Sequence, residues 1–271
     1  MSSYVVVGAS RGLGVRFVLP QAKDKNNTVF GVVRNPATAT KLAELATSLP
    51  NVHAIQGDLD NAQTLQTAAE DVAKVTGGTL DVLINNGAAI ITPYSMLTLD
   101  NPDPKALEDD LVGGFRTNTI GTIHAINAFL PLLRKGAMKK IVCVTSGAGS
   151  IELALKINYD ASCMYSISKA ASNMAAAQFA VALRPEGFTV LSISPGYVNT
   201  MTEDPSAHPP APSSVRFVKQ MTQAWQKHYP SWDGLPKTPA VAVSMILDVM
   251  NKNGPENSGA FLSHHNNQEW F

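Results

Sequence analysis

Short apolar runs alternate along this chain with longer stretches of helical periodicity, and the alternation predicts strand after helix. Tyr4-Val-Val-Val7, Thr28-Val-Phe-Gly-Val-Val33, Val52-His-Ala-Ile55, Leu80-Asp-Val-Leu-Ile84, Lys140-Ile-Val-Cys-Val144, Thr189-Val-Leu-Ser-Ile193 and Gly259-Ala-Phe-Leu262 read as strands. Apolar residues at helical spacing fill the intervals: Val15 to Leu19, then Leu42, Leu45, Ala46 and Leu49 in a helix from Thr38 to Ser48, then 62–75. A long helix is predicted over 105–133, with Leu107, Leu111, Phe115, Ile120, Ile123, Ile126 and Leu130 as its apolar side. An Ala-rich helix over 164–184 and a last one from Pro239 to Met250 complete the pattern. The expected fold class is α/β: a doubly wound parallel sheet of about seven strands flanked by helices, in a single domain over 1–271.

Two stretches break the rhythm. Residues 90–104 hold Pro93, Pro102 and Pro104 and read as a loop. Residues 201–237 carry a stiff linker with Pro205, Pro209, Pro210 and Pro212, then an amphipathic segment over 213–228 with Val215, Val218, Met221 and Trp225 on one stripe. Inserted after a sheet end, 201–237 reads as a lid over a site or as a helix packed permanently on the body.

Composition narrows the function classes. Lys plus Arg is 21 and Asp plus Glu is 21, with no long like-charge run, so neither nucleic acid nor an anionic membrane is an expected partner. Hydrophobic residues make up 45%, enough for a large core, yet every apolar run stops short of a membrane span. Cys143 and Cys163 form neither a disulfide framework nor a metal-ligand spacing. Met1-Ser-Ser leads directly into the first strand rather than a signal peptide, and the expected location is cytoplasmic.

The candidate chemistry sits where strands end. Gly8-Ala-Ser10-Arg11-Gly12-Leu13-Gly14 links the first strand to the first helix, so backbone N–H groups and the helix dipole meet there as an anion site. At the end of the second strand, where NAD enzymes place an acidic residue, stands Arg34; with Arg11 it suits a 2′-phosphate, so NADPH/NADP+ is the expected cofactor. Asp58, followed by Leu59, reads as an acceptor for an adenine amino group or as the cap of the next helix. Asn85-Asn86-Gly87-Ala88 is a turn beside a ligand, and Asn118 lies amid an apolar helix side, where its amide needs a polar network or an ordered water. Ser146 ends the fifth strand; no Gly-x-Ser-x-Gly elbow and no plausible histidine base make it a hydrolase nucleophile. Tyr165 and Lys169, four apart on a helix, open into one cleft, and the cation is expected to lower the tyrosine pKa. Ser194-Pro195-Gly196-Tyr197-Val198-Asn199-Thr200 forms a rigid wall after the sixth strand.

Taken in order, the glycine loop, Asn-Asn turn, Asn118, Ser146, Tyr165-x-x-x-Lys169 and Pro195-Gly196 resemble the short-chain dehydrogenase/reductase family across essentially the whole chain. Ser146-Gly-Ala-Gly-Ser-Ile151, the long gap to Tyr165 and the Gly-Ala-Phe-Leu ending look most like its sniffer-like carbonyl reductase branch. The resemblance implies a Rossmann-type fold and a catalytic tetrad of Asn118, Ser146, Tyr165 and Lys169, with Asn118 holding a water. It further implies cofactor contacts at Gly8, Ser10, Arg11, Gly12, Leu13, Gly14, Arg34, Asp58, Leu59, Asn86, Tyr165, Lys169, Pro195, Gly196, Val198 and Thr200. Val7 in place of the usual threonine, the Gly87-Ala88 order and the long stretch after Thr200 depart from that family's pattern. The expected reaction is hydride transfer to a small, largely apolar ketone or aldehyde, with Tyr165 as general acid. Alcohol oxidation, another biosynthetic reaction on the same scaffold, or a non-catalytic NADPH-binding regulator are the alternatives. The 105–133 and 164–184 helices offer faces for a homodimer or homotetramer.

Overall fold

The computed structural model describes residues 2–89, 98–160, 162–199, 222, 223 and 225–271. Seven parallel strands form one sheet in the order β3-β2-β1-β4-β5-β6-β7. They are β1 (Ser3–Val7), β2 (Thr28–Val33), β3 (Val52–Gln56), β4 (Val82–Asn85), β5 (Lys140–Val144), β6 (Thr189–Ser194) and β7 (Phe261–Ser263). The first four helices are α1 (Gly12–Ala22), α2 (Thr40–Ser48), α3 (Ala62–Thr76) and α4 (Pro104–Phe115). After them come α5 (Gly121–Leu133), α6 (Ile151–Lys156), α7 (Cys163–Leu183) and α8 (Pro239–Lys252). This is the expected Rossmann-type arrangement. The strand order reverses between β1 and β4, which opens a crevice at the carboxyl ends of those strands.

Side chains alternate across each strand, so the sheet feeds two cores. Val5, Val7, Phe30 and Leu83 pack with α3, α5 and α7 on one face; Tyr4, Val6, Val29 and Ile84 pack with α1, α2 and α8 on the other. Val7, where the family's pattern has threonine, is buried in the first of these cores. Lys140 is buried too, and its ammonium donates to the carbonyls of Met250 (2.7 Å) and Asn253 (3.0 Å), closing the carboxyl end of α8.

Boundaries shift in informative ways. β4 starts at Val82 because Leu80 and Asp81 form the approach to the strand, and β7 starts at Phe261 because Ala260 still belongs to the preceding turn. The long helix runs from 104 to 133, but Arg116–Ile120 is a π-turn that separates α4 from α5. α6, between Ser146 and Tyr165, has no counterpart in the periodicity; at six residues it is too short to show one. Most of the 201–237 segment lies outside the described residues, as does Thr200. Among the described residues no helix is long and apolar enough to cross a membrane.

Candidate active site

The glycine loop is built by close approach. Gly8 has φ +81°, and a Cβ there would come within 2.5 Å of the Gly87 Cα, so the first strand's loop and the Asn-Asn turn touch backbone to backbone. Asn86 ties them, its Nδ2 donating to the Gly8 carbonyl at 3.1 Å, while Val7 O accepts from the N–H groups of Asn86 and Gly87. The contact restricts Gly8 to glycine; at Gly87 an added Cβ would meet the Leu59 Cδ1 at 2.7 Å but the Gly8 Cα only at 3.5 Å. Gly14 fits under the loop, with room for no Cβ (1.9 Å to Gly8 O), and supports it rather than facing the crevice. α1 opens at Arg11 with no side-chain cap and no acid in its first turn, which leaves its first N–H groups open to an anion.

A cavity of about 1050 Å³ follows the carboxyl edge of the sheet. Its wall at one end holds Gly8, Ser10, Arg11, Gly12 and Leu13, with Arg34, Asp58, Leu59 and Asn86 beside them. Thr38, Thr40 and Lys41 also stand there; the sequence does not mark them, because they lie past the strand end, in a 3-10 turn and the start of α2. Asp58 does not cap α3. Asn61 does, its Oδ1 accepting from Gln63 and Thr64, and Asp58 Oδ1 accepts instead from the Asp60 N–H at 3.1 Å.

Further along the same wall come Ser146, Tyr165, Lys169, Pro195, Gly196 and Val198. Ser146 is brought to α7 by the short turn Gly147–Gly149. Gly149 lies against the α7 backbone, where an added Cβ would meet Ala170 N at 2.8 Å, so only a bare Cα lets the turn seat there. Ser194 Oγ accepts from Gly147 N at 2.9 Å and joins that turn to the end of β6.

Burial governs the charges in this stretch. It pushes the Tyr165 phenol up to about 12; a hydrogen bond with Ser146 works the other way, and Tyr159 nearby raises it further. It pushes Lys169 down to about 8, against a small opposing pull from Cys143. Lys169 Nζ donates to Val144 O at 3.0 Å and sits 5.7 Å from the Tyr165 ring centroid. The expected lowering of the tyrosine by its neighbouring cation is not found: burial sets the direction for both groups, because loss of hydration disfavours the charged form of each.

Asn118 stands in the π-turn, 1% exposed and away from the cavity wall. Its amide is fully used, Nδ2 donating to Ala89 O (2.9 Å) and Ser168 Oγ (2.8 Å), and Oδ1 accepting from Ala89 N (2.7 Å). Its carbonyl accepts from the hydroxyls of Thr122 and Ser172. The expected polar network is present, made by the Ala89 backbone and the Ser168 hydroxyl. Asn118 thereby fastens the chain after β4 to α7 one residue before Lys169.

The far end of the cavity is aromatic. Tyr159, Tyr197, Trp225, Trp270 and Phe271 line it together with Leu153 and Ile157. Of these the sequence marks Trp225, as one position of an amphipathic stripe, and Tyr197, in the turn after the sixth strand; the others converge from separate segments.

Residues 3–210 match the family model for short chain dehydrogenases. The chain is 38% identical over 274 residues to the short-chain dehydrogenase/reductase AacuF of Aspergillus aculeatus, covering 100% of each. It is 26% identical to the NADPH-bound carbonyl reductase from chicken fatty liver, with a TM-score of 0.78, covering 100% of this chain and 94% of that one. The carbonyl reductase Sniffer of D. melanogaster shares the fold, with a TM-score of 0.75 at 24% identity over 97% of each chain.

Proposed function

We infer the reaction of this chain from a premise its relatives establish, namely that it belongs to the short-chain dehydrogenase family and is an oxidoreductase. The inferred reaction is NADPH-dependent reduction of a ketone or aldehyde to the alcohol. The observation that carries it is the hydrogen-bonded Ser146–Tyr165 pair, with Lys169 beneath it, in the same cavity that ends at Arg11 and Arg34.

The residues present fit a nicotinamide dinucleotide phosphate. The uncapped α1 N-terminus and the loop of Gly8, Ser10, Gly12 and Leu13 would hold the pyrophosphate. Arg11 and Arg34, both exposed at that end, would hold the 2′-phosphate, and Asp58, Leu59 and Asn86 the adenosine side. Lys169, Pro195, Gly196 and Val198 would hold the nicotinamide end. The NADPH-bound chicken carbonyl reductase supports this choice. When bound, the cofactor supplies the hydride.

The chain's own residues manage the proton. At neutral pH the Tyr165 hydroxyl, pushed up to about 12, keeps its proton and is a donor. It gives that proton to the carbonyl oxygen as charge develops there. Ser146 donates a hydrogen bond to the same oxygen, a contribution of ~2–4 kcal/mol for a donor aimed at a developing oxyanion. Lys169, pushed down only to about 8, is still largely charged at pH 7 and stabilises the phenolate that forms. Asn118 positions α7 rather than touching the reacting atoms. The test is NADPH consumption over a panel of aldehydes and ketones by wild type and Tyr165→Phe. Turnover confined to wild type is expected; equal turnover in both overturns the reading.

Copies of the chain are proposed to pair through the exposed apolar residues Val112 and Phe115 of α4 and Met174 of α7. Light scattering at the mass of one chain would refute that. The buried free thiols of Cys143 and Cys163 support a reducing, cytoplasmic location.

A further inference from the structure

The aromatic end of the cavity carries an inference that rests on the reductase reading and names what is reduced. Trp225 stands at its centre. Its ring lies 5.6 Å from Tyr159 (interplanar 67°), 6.1 Å from Tyr197 (88°) and 5.0 Å from Phe271 (44°). These four rings line the cavity and are each only half-buried, so part of every ring is left to a bound molecule. Trp232, 8% exposed, backs the wall at 4.7 Å from Phe271.

The charged lining residues are distributed unevenly. Arg11, Arg34, Lys41, Asp58 and Asp60 belong to the glycine-loop end; among the described lining residues only Lys169 is charged near the tyrosine, and it is 4% exposed. Among its described lining residues the aromatic end therefore offers flat faces and the hydroxyls of Tyr159 and Tyr197, with no charged side chain to meet an ion. Tyr159 is also near enough to Tyr165 for their charges to interact, which places this wall beside the proton donor.

We propose that the substrate is a neutral aromatic carbonyl compound, a ketone or aldehyde on a planar ring system, seated against Trp225, Tyr159, Tyr197 and Phe271. Rings at 4.5–7 Å in offset or edge-on contact gain beyond simple area burial, which a saturated ring of the same size does not. A carboxylate carried into this end would lose its water without finding a cation among the described lining residues there. The carbonyl carbon takes the cofactor's hydride and its oxygen takes the Tyr165 proton, which leaves an alcohol and oxidised NADP+.

The experiment compares kcat/KM, at saturating NADPH, for 2-acetylnaphthalene, cyclohexyl methyl ketone and 6-acetyl-2-naphthoate in wild type, Trp225→Leu and Trp225→Phe. Wild type should favour 2-acetylnaphthalene over each of the others by on the order of tenfold, the equivalent of one or two good aromatic contacts. Trp225→Leu should bring the naphthyl-to-cyclohexyl ratio toward one, and Trp225→Phe should restore most of it. Equal values for the two neutral ketones in wild type, or the same proportional loss for both in Trp225→Leu, would overturn the proposal. If wild type turns over none of them, the reductase reading is what fails. Calorimetric titration of the NADPH-loaded protein then decides the aromatic site by itself. Binding of 2-acetylnaphthalene that is tighter than that of cyclohexyl methyl ketone, and weakened in Trp225→Leu, supports it; binding no tighter overturns it.

Discussion

The two ends of the cavity are made in opposite ways. The glycine-loop end is assembled mainly from backbone: a strand, a tight turn and an uncapped helix start, touching a second turn at the Gly8–Gly87 contact. Its side chains are charged and exposed. The tyrosine end is assembled from side chains, buried or half-buried, drawn from the end of β5, α7 and four aromatic segments that are far apart in the chain. Backbone geometry suits a ligand part that does not vary, such as a pyrophosphate. Side chains on separate segments can be exchanged one at a time, which suits a part that does.

That contrast can be broken or sharpened by experiment. The largest effect is expected at Tyr165, the proposed proton donor. Tyr165→Phe should cut kcat by about 10²–10⁴-fold while NADPH binding, followed by cofactor fluorescence, stays within about threefold. A parallel loss of NADPH binding would mean that the two ends do not work separately. Next comes the cost of the buried cation. Lys169 has a folded pKa near 8 against an ordinary 10.5, so between those values the unfolded chain binds more protons and stability rises with pH. The gain is on the order of 3 kcal/mol at most, and Tyr165 reverses the trend above pH 10, where the unfolded tyrosine ionises first. Chemical denaturation from pH 7.5 to 10 should show the rise in wild type, and Lys169→Met should flatten it.

Smaller effects belong to the other end. Arg34→Asp should raise the NADPH Kd at least about tenfold, the loss of roughly one charged pairing, and leave NADH nearly unaffected. Equal effects on both cofactors would remove Arg34 from the 2′-phosphate site. The smallest is structural. Asn61→Ala removes the cap of α3, about 1 kcal/mol, and should lower Tm by about 2–4 °C without changing the choice among ketones. A change in that choice would show the two ends to be coupled through the sheet.

How far each end was legible in the sequence follows from the same contrast. Strand, Gly8-to-Gly14 turn and helix are contiguous, so local pattern alone places them, and Tyr165 and Lys169 are fixed to one helix by their spacing. Strand ends mark Ser146 and the Pro195-Gly196 turn, an apolar helix side marks Asn118, and the family pattern added their roles. The aromatic wall lacked such a signature, because Tyr159, Tyr197, Trp225 and Phe271 meet only through the tertiary fold. The π-turn at 116–120 was invisible for another reason: one extra residue per turn hardly disturbs a helical pattern read over thirty residues. The charge balance of Tyr165 was misjudged because spacing reports which groups are near, whereas burial decides what their nearness is worth.

The contact of Gly149 with the α7 backbone has a consequence for how this chain can change. Ser146 is set against Tyr165 by that seat and by the bond from Gly147 to the Ser194 hydroxyl, neither of which uses a residue between the start of α6 and the start of α7. The chain from α6 to the start of α7 is therefore a tether whose length the catalytic pair does not feel. Closing a longer tether costs only a fraction of a kcal/mol for a few added residues. Residues around the exposed Asn158 and Asp160 are thus a place where insertions can reshape the aromatic wall while the proton donor and its serine keep their spacing. Within this architecture, selectivity can drift by loop length while the chemistry stays put.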